Sequence, residues 1–254
     1  MGSNTWREPD VSIAEQIENW ISAEVQRAGV NGVVLGLSGG IDSAVASGLC
    51  ARALGPERVL GVIMPAHSLP QDARDAVLTA ETWGIEHRTV DLSGVVDALA
   101  AVLPDGTQLA RANIKPRLRM ITLYYMANTL GRAVVGTGNR SELMVGYFTK
   151  FGDSGVDLLP LAGVYKHQVY DIAREIGVPQ PIIDRQPSAG LWEGQTDEEE
   201  MGVSYADLDS ILAAFAAGET PEAAPDVVQK VERMVRGSEH KRRLPPMFSL
   251  DESS

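Results

Sequence analysis

Apolar residues along the chain change their period twice. Ile13, Ile17, Ile21 and Val25 recur at helical spacing and predict an amphipathic helix over residues 12–29. Ser12 with Glu15 suits a capping box at its start, and Gly29 suits its stop. From residue 33 the pattern turns to short apolar runs, each followed by a helical one. Strands are predicted over 33–37, 59–64, 87–92 and 133–136, and helices over 43–54, 72–83, 93–102 and 112–130. This alternation predicts an α/β fold: a doubly wound, mainly parallel sheet with helices on both faces. Residues 138–163 then mix glycine, charge and aromatics without sustained period. A helix is predicted over 166–176, an aperiodic stretch over 177–202, and helices over 205–216 and 221–235 before the basic run 240–243. No internal repeat or low-complexity tract interrupts the chain, so residues 1–254 read as a single domain.

Composition narrows the function. Lys+Arg is 22 and Asp+Glu is 34 over 254 residues, a net charge of −12. A main partner with a nucleic-acid backbone would require a basic face, so that class is set aside. A small anion can still bind in a local Arg/Lys pocket. The single cysteine, Cys50, excludes an intrachain disulfide framework and a multi-thiolate metal site; its place in a helical pattern reads as small buried packing. His67, His87, His167 and His240 lack metal-ligand spacing, so no zinc site is read. The first ten residues hold no apolar h-region and no run is long enough to span a bilayer, so a cytoplasmic setting is the expectation.

The most informative segment is Gly36, Leu37, Ser38, Gly39, Gly40, Ile41, Asp42 and Ser43, between a buried strand and a helix. There, backbone N–H groups and a helix N-terminus converge on an anion. Gly39 and Gly40 permit close backbone approach, and Ser38 and Ser43 add hydroxyl donors. Asp42 cannot bind phosphate directly; its natural role is to hold Mg²⁺ against the phosphates. The plainer alternative is a tight turn with Asp42 or Ser43 as N-cap and no ligand. A Walker loop is absent from the chain. The stretch from Gly136 to Ser141, with Asp157 further on, mimics a dinucleotide fingerprint but lacks its third glycine.

The string SGGIDS resembles the pyrophosphate loop of the N-type ATP pyrophosphatases, which adenylate an acceptor oxygen. Further motifs follow in order: ANIKPRLRM (112–120), GTGNRSE (136–142), GYFTKFGDSGVDLLPLAGVYK (146–166), PSAGLWEGQTDE (187–198), YxxLD (205–209) and EHKRRLPP (239–246). Together, over about residues 12–248, they resemble the ammonia-dependent NAD synthetases. That resemblance implies ATP-dependent amidation of deamido-NAD to NAD by ammonia through an acyl-adenylate, with release of AMP and pyrophosphate. A tRNA-modifying relative would show a basic face and often extra cysteines. A GMP synthetase would need further domains, and a non-catalytic ATP-binding module would have no use for the magnesium carboxylates.

The resemblance also assigns residues. Asp42 and Glu142 match Mg²⁺ ligands, and Thr137, Lys166 and Ser188 match ATP contacts. Arg117, Lys150, Asp157, His240 and Lys241 match positions that hold deamido-NAD, and Asp153 is the candidate for binding ammonium. The chain departs from the family where it has GTGNRSE in place of GTDHAAE. Taken singly, Lys150 and Lys166 could be solvated lysines, Arg117 part of a wet helix face, and Glu142 an exposed first-turn carboxylate. Likewise Asp157 could belong to a turn and residues 240–243 to a soluble tail. Residues 186–201 are expected to form a mobile lid carrying Leu191 and Trp192, and residues 205–248 the C-terminal helices and substrate-binding tail. A homodimer with active sites at the interface is the family expectation.

Overall fold

The computed structural model describes residues 11–188, 190, 194 and 196–248. Helix α1 (Ile13–Ala28) begins where Ser12 Oγ accepts the Glu15 N–H and ends at left-handed Gly29. Strand β1 (Val33–Gly36) leads into α2 (Ile41–Leu54), a 3₁₀ turn (Pro56–Arg58) into β2 (Val59–Ile63), and α3 (Pro70–Trp83) into β3 (Glu86–Thr89). Then come α4 (Ser93–Val102), α5 (Gln108–Ala112), α6 (Ile114–Leu130) and β4 (Ala133–Val135). The four strands lie in the order β3-β2-β1-β4, and every pairing is parallel.

Helix covers both faces of this sheet, as the alternation required. Side chains of successive strand residues point to opposite sides. Thus Val33, Leu35, Val59 and Ile63 join Ile21, Leu49 and Ile172 in one core, while Val34, Leu60 and Val62 join Leu123 and Ala127 in another. Helix α2 is buried nearly all round, packed among α1, α3, α8 (Lys166–Ile176) and the sheet, which explains its run of small residues. The two edges of the sheet differ. On β3 all four residues are exposed, and Arg88 pairs with Glu86 at 2.9 Å. Along β4, residues 157 and 158 donate both backbone N–H groups to Val134 O, and Gly136 N–H returns one to Leu158 O.

The helix expected over 112–130 is α6, which starts two residues later, and the short α5 that ends at Ala112 was not expected. Running unbroken, a single helix would place Pro116 in its interior, where the ring clashes with the carbonyl four residues back. The chain instead breaks at Asn113, so Pro116 falls in the first turn of α6.

The second half completes the fold with α7 (Arg140–Val145), α8, α9 (Gln180–Ile183), α10 (Asp197–Met201), α11 (Tyr205–Ala217), α12 (Pro225–Gly237) and α13 (Glu239–Arg242). Four of these, α7, α9, α10 and α13, are too short to show a period and were not expected. A third apolar cluster, with Val145, Leu208, Ile211 and Val231, holds α7, α11 and α12 together. Among the described residues no helix is long and apolar enough to cross a membrane.

Candidate active site

The loop after β1 lies at the carboxyl end of the sheet, where open α/β folds bind ligands. Its glycine is obligatory: Gly39 has φ +80°, and a Cβ there would stand 2.5 Å from the Asp72 carbonyl oxygen. Ser38 and Ser43 fasten the turn. Ser43 Oγ donates to Gly40 O at 2.9 Å, and Gly40 N–H donates to Ser38 Oγ at 3.2 Å. The N-cap of α2 is Gly40, which offers no side-chain cap, so neither Asp42 nor Ser43 serves as one. First-turn N–H groups, here those of Ile41, Asp42 and Ser43, find no acceptor within their own helix. They and the dipole of α2 make this end of the helix attractive to an anion.

Asp42 points sideways, toward the end of β4. Its Oδ1 accepts Asn139 Nδ2–H at 2.9 Å, and its Oδ2 meets Lys166 Nζ at 2.5 Å. Glu142 approaches the same ammonium, with Oε1 at 3.6 Å. Asn139 is the hinge of this arrangement. It caps α7 by accepting Glu142 N–H, while its own backbone N–H donates to Glu142 Oε2. One carboxylate oxygen of Glu142 is thereby fixed, leaving the other to face Lys166.

Lys166 is only 1% exposed, so the solvated-lysine alternative does not hold for it. Burial alone favours the neutral amine, but Asp42 and Glu142 outweigh it and hold the ammonium above its ordinary pKa. Burial first, and then the charge of Asp42, push the Glu142 carboxyl above the usual carboxylate range, against the pull of Lys166. Tyr205 Oη lies 3.2 Å from Glu142 Oε1 and 3.1 Å from Asp197 Oδ2, and Tyr147 donates to Asp197 Oδ1 at 3.0 Å.

Two carboxylates converging on one cation supply the hard oxygen donors that Mg²⁺ takes. Asp42 and Glu142 bring two such carboxylates to one place. That suits Mg²⁺, which keeps waters and shares substrate phosphates with one or two carboxylates. Thr137 follows β4 beside the loop, because Leu35 pairs with Val135.

A second group gathers nearby. Arg117 donates to Lys150 O at 3.2 Å, and Lys150 Nζ donates to His240 O at 2.8 Å. Lys241 Nζ donates to Gly146 O and Phe148 O at 2.7 and 2.9 Å. Arg242 is similarly bonded to Leu143 O, Met144 O and Val235 O, so residues 240–242 are docked and not a soluble tail. Asp153 Oδ1 accepts Thr149 N–H at 2.9 Å, with Lys241 and Arg119 as its cationic neighbours.

Asp157 sits apart from this group, accepting Val134 N–H at 2.7 Å and Tyr124 O–H at 2.9 Å. Exposed Ser188 accepts the Gly190 N–H at 3.1 Å. Of the expected lid, Leu191 and Trp192 lie outside the described residues. Its near end follows Arg185, which is paired with Asp72 and Asp75 of α3.

Sequence reasoning missed Asn139, Tyr147, Asp197 and the contacts of Tyr205. Only Asn139 left a local signal, the N-x-x-E spacing of a capping box.

A parallel sheet with this loop on an interior strand, beside a buried lysine and two facing carboxylates, is the arrangement of an α/β protein that binds an anionic ligand at the carboxyl end of its strands. Comparison with known proteins narrows the class. The family model described as NAD synthase matches residues 13–245. The chain is 48% identical over 237 residues to the NH(3)-dependent NAD(+) synthetase of Archaeoglobus fulgidus, covering 92% of this chain and 95% of that one. Among solved structures it is similar to the NMN synthetase of Francisella tularensis, with TM-score 0.86, 37% identity and coverage of 94% and 98% of the two chains. It is also similar to the NH3-dependent NAD synthetase of Campylobacter jejuni, with TM-score 0.81, 27% identity and coverage of 93% and 98%. The chain belongs to the NAD synthase family.

Proposed function

We propose that this chain amidates deamido-NAD to NAD with ammonia, using ATP as co-substrate, and that the residues gathered above carry the reaction. The observation that carries the reading is the convergence of the phosphate loop, Asp42, Glu142 and Lys166 on one point. A carboxylate resists ammonia because its leaving group would be oxide. Attack of the nicotinate carboxylate on the α-phosphate of ATP expels pyrophosphate and leaves an acyl-adenylate. Ammonia then displaces AMP, a good leaving group.

The loop amides, Ser38, Ser43 and Lys166 bind the phosphates and balance charge on the departing pyrophosphate. Mg²⁺, held by Asp42 and Glu142, would supply further neutralisation there. Thr137 and Ser188 contact ATP. Arg117, Lys150, Asp157, His240 and Lys241 orient deamido-NAD so that its carboxylate meets the α-phosphate in line. Asp153 takes ammonium and sheds its proton locally.

No protein nucleophile is needed. Cys50 is fully buried, and burial pushes its thiol up to about 12. A thiol so buried and so weakly acidic cannot serve a glutamine-hydrolysing site. The pure chain should therefore form AMP, pyrophosphate and NAD from ammonium salts and not from glutamine, at a rate that rises with pH as free ammonia increases. Cys50→Ser should retain this activity. Efficient glutamine use that Cys50→Ser abolishes would overturn the ammonia assignment.

The likeness to an NMN synthetase favours a second reading, with the carboxylate counterpart of NMN as substrate. The same assay separates the two: deamido-NAD should show the higher kcat/KM, and the reverse order would establish the mononucleotide reading.

We further propose a cytoplasmic homodimer with its active sites at the interface. Ile121 and Tyr125 of α6 are 58% and 73% exposed on the helix that carries Arg117, which supports a partner on that face. Sedimentation should give twice the chain mass, and a monomer at the concentration where the enzyme is active would reject the dimer.

A further inference from the structure

Tyr205 and Asp209 stand one turn apart on α11, and the reaction described above uses neither. Both are buried, at 7% and 4% exposure. Asp209 Oδ1 accepts the Ser141 Oγ–H in a short hydrogen bond. Its Oδ2 accepts the His167 backbone N–H at 2.9 Å and meets His167 Nδ1 at 2.8 Å. Ser141 Oγ in turn accepts the Lys166 backbone N–H at 3.0 Å. Ser141 and His167 are the chain neighbours of Glu142 and Lys166, so Asp209 holds the His167 backbone directly and the Lys166 backbone through Ser141 Oγ.

This contact also completes α8. Its N-cap, Tyr165, makes no side-chain cap, so its first N–H groups are met from other helices, by Ser141 and Asp209. A carboxylate at that end is favoured by the helix dipole.

Tyr205 acts on the side chains. Glu142 Oε2 is occupied by the Asn139 N–H, so the direction of Oε1 is set by its own two contacts, Tyr205 Oη at 3.2 Å and Lys166 Nζ at 3.6 Å. A phenol has one proton to donate. Tyr205 Oη lies 3.2 Å from Glu142 Oε1 and 3.1 Å from Asp197 Oδ2, so the one hydroxyl ties the direction of Glu142 Oε1 to a second buried carboxyl. The Tyr205 ring faces Lys166 Nζ at 4.9 Å from its centroid. Apolar packing of α11 through Leu208, Ile211 and Leu212 holds the helix in place without fixing the direction of a carboxylate.

We propose that Tyr205 and Asp209 are positioning residues: Tyr205 aims Glu142 Oε1 at the cation site, and Asp209 locks the start of α8 that presents Lys166. The inference rests on the roles given above to Glu142 and Lys166.

Tyr205→Phe keeps the ring against Lys166 and removes only the O–H. Mn²⁺ binding to the protein–ATP complex, followed by the spectrum of free Mn²⁺, should weaken about tenfold, as expected for an outer-shell partner of a metal ligand. The kcat should fall while KM for deamido-NAD holds, and the ligand-free chain should still melt cooperatively. Asp209→Asn keeps the shape but presents an amide N–H to one of its two donors, and should lower kcat with little change in Mn²⁺ affinity. Unchanged Mn²⁺ affinity and kcat in Tyr205→Phe would overturn the inference. So would loss of its cooperative melting, which would make the hydroxyl a general structural element. A wild-type chain that releases no pyrophosphate would instead remove the parent reading, while the Mn²⁺ titration would still report on Tyr205.

Discussion

Asp42→Asn is expected to lower AMP formation by more than about a hundredfold, since losses of 10–100-fold already follow from disturbing a mere outer-shell partner. It is also expected to destabilise the fold, a consequence the sequence does not disclose. From the sequence, Asp42 reads as a metal ligand beside the phosphate loop and not as core packing. In the structure it neutralises a lysine that is 1% exposed, at 2.5 Å. Removing one partner of a buried pair costs about 3–5 kcal/mol, because the remaining charge stays desolvated. Glu142, at 3.6 Å, retains part of the compensation, so a loss near the lower figure is expected. The companion change Lys166→Met removes the stranded cation. The double variant should regain most of the lost melting temperature and none of the activity. Additive destabilisation of the two single changes would show that the pair contributes no coupling.

Gly39→Ala carries the second large effect. The backbone there has φ +80°, and the added methyl would stand 2.5 Å from the Asp72 carbonyl oxygen and 3.0 Å from Asp75 Cβ. A left-handed conformation alone costs a non-glycine residue about 1–2 kcal/mol, and relieving the clash requires the loop to leave α3. Because the loop amides grip only in one geometry, ATP affinity should fall about tenfold or more, each 1.4 kcal/mol being a factor of about ten. Calorimetric titration of ATP into the folded variant checks this. Wild-type affinity would show that the amides of this loop and of the first turn of α2 do not form the phosphate cradle.

How legible these features were depended on their range in sequence. Helix α1 announces itself through four apolar positions and two caps, and α8 begins and ends as its apolar pattern predicts, because periodicity and capping are local. The phosphate loop was readable for the same reason. The centre it serves was not: Lys166 lies 124 residues from Asp42, and Asn139 lies 97 residues from it. Nothing around Lys166 distinguishes it from a solvated lysine, and only its likeness to a family position singled it out. Residues 240–242 show the same limit, since a basic run gives no sign of the carbonyl groups that will hold it. The later start of α6, by contrast, was present in the sequence as Pro116 and was outweighed by the surrounding helical pattern.

The borders of the sheet bear on how copies of this chain can meet. A strand with free N–H and C=O groups invites the same strand of another molecule to pair with it. Along β3 the residues are Glu86, His87, Arg88 and Thr89, all exposed, and charged side chains are a common guard on an edge strand. The opposite border is taken by residues 157 and 158 of the same chain. With one border electrostatically guarded and the other already paired, continuous cross-molecular sheets are disfavoured at both ends. A second copy that approaches this sheet therefore meets charged side chains along β3 and a backbone already hydrogen-bonded beside β4.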